Sequence, residues 1–180
     1  LNLETVKYYI IFLLLVSMVP PSIQDYETIT WSANTRLSWD DFRGGIPINN
    51  RAAAITASGI TYRFSTSGTK ENMVVHFKID TFFYPTKSWY RPQLCDEAIL
   101  GHEQLHFDIS ELYARKMKRR LDDELLTYGN VNAKVKSIYR EINIELDDFQ
   151  NLYDAETNFS RDLDKQEEWE LKIAQALQEP

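Results

Sequence analysis

His102-Glu103-Gln104-Leu105-His106 stands inside a stretch, Asp96 to Leu126, whose apolar residues recur at helical spacing. A helix advances about 100° per residue, so positions four apart lie about 40° from each other on one face. His102 and His106 can therefore offer two imidazoles to one metal ion. Glu103 comes beside them on the adjoining turn. This H-E-x-x-H order belongs to sites in which zinc lowers the pKa of a bound water and a carboxylate takes its proton. The chain has only three histidines, and two of them are committed to this pattern.

Two imidazoles are not enough, because a catalytic zinc site normally has three protein ligands. The same helix face continues through Ala98, Ile99, Ile109, Ser110 and Tyr113, none of them a usual ligand. Glu111 falls about 140° round from His106 and faces away. The longer pattern H-E-x-x-H-x-x-G-x-x-H is absent, since Ile109 and Leu112 hold the Gly and third-His positions. The third ligand must come from another segment. Asp154 and Glu156, in an acidic stretch running to Ser160, are the first candidates, and His76 is the next.

Around the motif the chain divides simply. Asp96 is a suitable N-cap for the motif helix, and Tyr128-Gly129-Asn130 ends it. A second helix is expected over about 131–153, with Val131, Val135, Ile138, Ile142, Phe149 and Leu152 as its stripe, and a third over about 161–178. Upstream, Asn72 to Phe83 alternates as a strand, with Val75, Phe77 and Ile79 on one face. His76, Lys78 and Asp80 take the other face, which marks it as solvated. Ala52 to Phe64 reads as a strand broken or bulged near Gly59 and paired with it as a hairpin. Tyr26 to Trp31 reads as a further strand. The predicted fold class is α+β: a small antiparallel sheet followed by three helices, in one domain over residues 26–180.

With 180 residues the chain is long enough for one real core, and its net charge of −7 excludes nucleic acid as the main partner. The basic run Lys116–Arg120 is followed at once by Asp122, Asp123 and Glu124, so it reads as a solvated helix face. Tyr8 to Val19 is apolar apart from Ser17, follows Lys7 and is ended by Pro20-Pro21. It is shorter than the roughly 20 residues of a membrane span and suits the apolar core of a secretory signal. Residues 1–25 are therefore expected to be a signal peptide or N-terminal anchor. The protein would be exported, periplasmic or extracellular, touching a membrane only through an uncleaved leader. Cys95 is the single cysteine, so no internal disulfide forms.

Four pieces carry a resemblance. They are Leu37-Ser38-Trp39-Asp40-Asp41-Phe42-Arg43-Gly44, the segment Ala52 to Ile60, His102-Glu103-Gln104-Leu105-His106-Phe107-Asp108-Ile109, and Tyr153-Asp154-Ala155-Glu156-Thr157-Asn158. In this order they resemble a bacterial family catalogued as domain of unknown function 922 and described as predicted secreted zinc-dependent proteases. The resemblance implies a zincin-like metallopeptidase architecture with the motif on the first long helix, a zinc cofactor and export. There is one departure. The family tends to a T-x-H pattern, and Phe159 stands at its histidine. If that histidine is the family's third ligand, a carboxylate replaces it here or the site is weakened.

The sequence thus predicts an exported zinc-dependent metallohydrolase, a peptidase acting on peptide or protein substrates. His102 and His106 bind zinc, Asp154 or Glu156 completes the site, and Glu103 is the general base. Tyr153 is a candidate for holding the oxyanion. The alternative is a catalytically inactive zincin-like binding protein with a weakened metal site, a reading that Phe159 favours.

Overall fold

The computed structural model describes residues 27–178. The expected leader, residues 1–25, lies outside them. No described helix is long and apolar enough to cross a membrane.

The elements in order are β1 (Ile29–Thr30), a 3-10 turn (Trp39–Asp41), β2 (Ala54–Ile55), β3 (Ser58–Gly68), β4 (Met73–Phe83), β5 (Trp89–Tyr90), α1 (Glu97–Asp122), α2 (Val131–Glu156) and α3 (Leu163–Ala176). The fold is α+β, with a small antiparallel sheet and three helices. Sheet order is β1-β4-β3, and β2 pairs with β5 in a separate two-stranded ribbon.

The β3–β4 hairpin is longer than its composition suggests. Pairing runs from Ser58↔Phe83 to Gly68↔Met73, so β3 continues past Phe64 through Ser65, Thr66 and Ser67. The backbone ladder is satisfied by β4 whatever the side chains are, and the Ser and Thr side chains simply face water. Gly68 is needed at the tip, because its φ is +92° and a Cβ there would fall 2.1 Å from the Asn72 carbonyl oxygen. The expected strand 52–64 is in fact two. The break comes at Thr56-Ala57, not at Gly59, and there the chain changes sheets. Thr56 Oγ1 donates to the Glu103 carbonyl (3.1 Å), and the Ala57 amide donates to Ser88 Oγ (2.9 Å). These bonds replace the missing ladder partners and tie the crossover to the motif helix.

Asp96 caps α1 by accepting from the Ile99 amide at 3.0 Å. Leu105, Ile109, Met117 and Leu121 of α1 pack on Val135, Ile138, Ile142 and Leu146 of α2, with Trp169 and Ile173 of α3 and Ile60 of β3 closing the core. Each such side chain fully buried stabilises the fold by roughly 1.5–3 kcal/mol. Glu145 of α2 clamps the pair from outside, 2.6 Å from Lys116 Nζ and 2.7 Å from Arg120 Nη1. A smaller cluster of Leu37, Phe42, Phe83 and Phe107 pins the aromatic segment against the other side of α1. Trp39 stacks on Tyr90 there at 4.5 Å. Gly44 passes too close to Ser88 for any side chain: a Cβ would lie 2.7 Å from its carbonyl oxygen.

α2 outlasts its expected end at Tyr153 and runs to Glu156, so Asp154 sits in its last turn. The chain then turns left-handed at Asn158, Phe159 and Ser160, with φ of 48°, 54° and 67°. Asp162 starts α3 by accepting from the Lys165 amide at 3.1 Å.

Candidate metal centre

His102 and His106 lie on the α1 face that meets the end of α2, and both are buried. Their rings are 4.9 Å apart and nearly perpendicular, at 86°. Asp154 reaches between them from α2, its Oδ1 3.0 Å from Nε2 of each.

The other ring nitrogens decide the tautomers. His102 Nδ1–H donates to Gln166 Oε1 (3.1 Å), and His106 Nδ1–H donates to Gln150 Oε1 (3.0 Å). Both amides are oriented by further partners. Gln166 Nε2 donates to Glu170 Oε1 at 3.0 Å while its Oε1 accepts from the Tyr153 hydroxyl at 2.7 Å. Gln150 Nε2 donates to Ser110 Oγ at 3.4 Å. With protons on both Nδ1 atoms, each Nε2 faces Asp154 Oδ1 and is the position that takes either a further proton or a metal ion. Ligand atoms of His102, His106 and Asp154 lie within 4.8 Å of one another and can hold a metal ion. Two imidazole nitrogens with one carboxylate oxygen suit a divalent transition metal, zinc among them.

Electrostatics point the same way. Burial works against a charged His106, yet the hydrogen bond to Asp154 and the charges of Glu103 and Asp154 raise its pKa above the ordinary value. Burial likewise opposes ionised Asp154, but hydrogen bonds from His102 and His106 hold its carboxyl well below the usual range. Both shifts have one meaning: positive charge is favoured among these three residues, whether a proton or a metal carries it.

Glu103 is 5% exposed, and its Oε2 is a buried oxygen without a hydrogen-bond partner, alone in this among the described residues. An unsatisfied buried acceptor costs about 1–3 kcal/mol. It lines the same cavity of about 480 Å³ as His102, His106 and Asp154. An acceptor kept free beside a metal-competent cluster is suited to take a proton from a molecule in that cavity.

The remaining expectations separate. Glu156 is exposed and accepts from Trp169 Nε1 at 2.9 Å, so it does not join the cluster. His76 is exposed on β4, with its Nε2 3.4 Å from Ser67 Oγ. Tyr153 does not reach the cavity as an oxyanion donor. It is fully buried, stacks on His102 at 4.4 Å, and turns its hydroxyl to Gln166. Burial raises its pKa far above the ordinary phenol value. Phe159 lines the cavity. Gln150 and Gln166 were not foreseen. Gln150 is four residues before Asp154 and shares its helix face, so helical spacing could have found it. Nothing local marks Gln166, which α3 brings in from elsewhere.

The family model described as "Bacterial protein of unknown function (DUF922)" matches residues 43–161. The chain belongs to this family. The DUF922 match takes in β2 through α2, and with them all of His102, Glu103, His106 and Asp154. It stops short of α3, so Gln166 lies beyond the matched DUF922 span. No curated protein and no solved structure matches the chain.

Proposed function

We propose that this DUF922 protein is a zinc-dependent metallohydrolase, a peptidase of zincin-like architecture, acting after export. His102, His106 and Asp154 would hold the metal, and Glu103 would serve as general base. The observation that carries the reading is the unpartnered, buried Glu103 Oε2 beside three converging ligand atoms. Zinc, when bound, supplies Lewis-acid polarisation and an acidified water.

The chain's own groups then have distinct tasks. Gln150 and Gln166 hold the two imidazoles by their Nδ1 protons and keep the Nε2 atoms aimed inward. Tyr153 packs against the His102 ring and fixes its plane. Glu103 takes a proton from water at Oε2 and returns it to the leaving amine as the peptide bond breaks.

The test combines metal analysis with turnover. Wild-type protein purified without chelator should carry about one zinc per chain, the stoichiometry of a single three-ligand site. Glu103→Gln should keep that metal and lose on the order of 10²–10⁴-fold in hydrolysis of an unstructured protein substrate. Full activity in Glu103→Gln would remove Glu103 from the chemistry. Metal content indifferent to His106→Ala would remove the site itself. Export is tested apart from this, by fractionation: full-length protein confined to the cytoplasm would end that half of the reading.

A further inference from the structure

The mouth of the metal cavity has a chemistry of its own. Arg51 and Arg161 both line it, and neither takes part in an ion pair among the described residues. Both are exposed, so their guanidiniums are open to a ligand entering the cavity.

Their backbones are set with care. Arg91 holds the chain on either side of Arg51, its Nη2 donating to the Asn50 carbonyl (2.8 Å) and its Nε to the Ala52 carbonyl (3.1 Å). Arg161 follows the left-handed run at Asn158, Phe159 and Ser160. Asn adopts that conformation readily, whereas Phe and Ser adopt it at an energetic cost. The run is locked by the Phe159 amide donating to the Asp154 carbonyl (2.8 Å) and the Asp162 amide to the Thr157 carbonyl (2.9 Å). It keeps Phe159 59% exposed at the cavity, whose lining also includes Ile55, itself 39% exposed. Arg161 uses Nη1 to hold the Asn158 carbonyl at 3.2 Å. Its other guanidinium donors remain for a ligand.

We propose that this mouth selects peptides bearing a carboxylate near the scissile bond, bound by Arg51 and Arg161, with a neighbouring apolar side chain lying on Phe159 and Ile55. Guanidinium matches carboxylate geometry in a paired fork, which ammonium does not. The inference rests on the hydrolase reading for its scissile bond, but its test does not depend on turnover.

Binding is measured by fluorescence anisotropy on zinc-supplemented Glu103→Gln protein with three labelled peptides of one apolar sequence. One carries Glu and an amidated terminus, one carries Gln and an amidated terminus, and one carries Gln and a free terminal carboxylate. A carboxylate peptide should bind at least about tenfold tighter than the neutral one, the size of one charge-assisted hydrogen bond. The gap should shrink with added salt and close in the Arg51→Gln/Arg161→Gln double variant. Which of the two charged peptides gains tells a side-chain carboxylate from a chain terminus. Equal binding of all three, or a preference that survives in the double variant, overturns the proposal. Preference without any hydrolysis by wild type would sink the hydrolase reading and leave only carboxylate recognition by Arg51 and Arg161 standing. Hydrolysis with no preference would do the reverse.

Discussion

Asp154 Oδ1 lies 3.0 Å from His106 Nε2, although the two residues are 48 positions apart and ride on different helices. The cluster therefore exists only because α2 packs along α1 with one particular offset. Ile142 and Leu146 of α2 and Ile109 and Met117 of α1 are among the buried residues of the shared core that sets that offset. The distance is a readout of core packing as much as of local sequence.

That relationship predicts different fates for the two acidic candidates. Asp154→Ala should lower zinc affinity sharply, since it removes one of the three proposed ligands. Glu156→Ala should leave affinity unchanged and cost only the Trp169 hydrogen bond, about 0.5–1.5 kcal/mol of stability. Competition with a chromophoric chelator measures the first, and thermal unfolding the second. Equal effects of the two substitutions on zinc affinity would contradict the geometry.

Gln150 should matter to the metal without touching it. Gln150→Ala leaves His106 Nδ1 without its partner, and loss of such a partner typically weakens metal binding by roughly 10–100-fold. Gln150→Glu keeps an acceptor at that position and should retain most of the affinity. Should the alanine variant bind zinc as tightly as wild type while remaining folded, the orientation argument fails.

The Glu145 clamp makes a prediction about pH. Hydrogen bonds from Lys116 and Arg120 lower the Glu145 pKa below its ordinary value. A carboxylate with a depressed folded-state pKa adds stability above its unfolded pKa and loses it as pH falls through the folded value. Glu145→Gln should thus be less stable than wild type near neutrality, and the difference should fade in acid. The pair is partly exposed, so the difference at neutral pH should stay within about 1 kcal/mol. Urea denaturation at pH 7 and pH 3 measures it, and a deficit that grows in acid would reverse the sign of the argument.

Gly68→Ala should destabilise the hairpin with no effect on metal content. The added Cβ meets the Asn72 carbonyl at 2.1 Å on a backbone with φ of +92°. An incompatible side chain at such a position costs more than about 1 kcal/mol. Differential scanning calorimetry beside zinc analysis separates the two effects, and an unchanged melting temperature would refute the clash.

Sequence alone determined what is periodic and local. The helix carrying His102 and His106, the strand over 73–83 and the cap at Asp96 follow from side-chain spacing, because one turn or one pleat fixes which residues share a face. It also named the acidic pair from which the structure draws Asp154. Tertiary structure decided the rest. Whether Asp154 or Glu156 reaches the imidazoles depends on where α2 ends, and backbone capping at Thr157 set that three residues beyond Tyr153. The split of 52–64 into two strands depends on hydrogen bonds to Glu103 and Ser88, which are remote in the chain. Gln166 and the free Oε2 of Glu103 were invisible for the same reason. A hydrogen-bond partner, or the want of one, is a property of the packed interior, and no spacing within a single element encodes it.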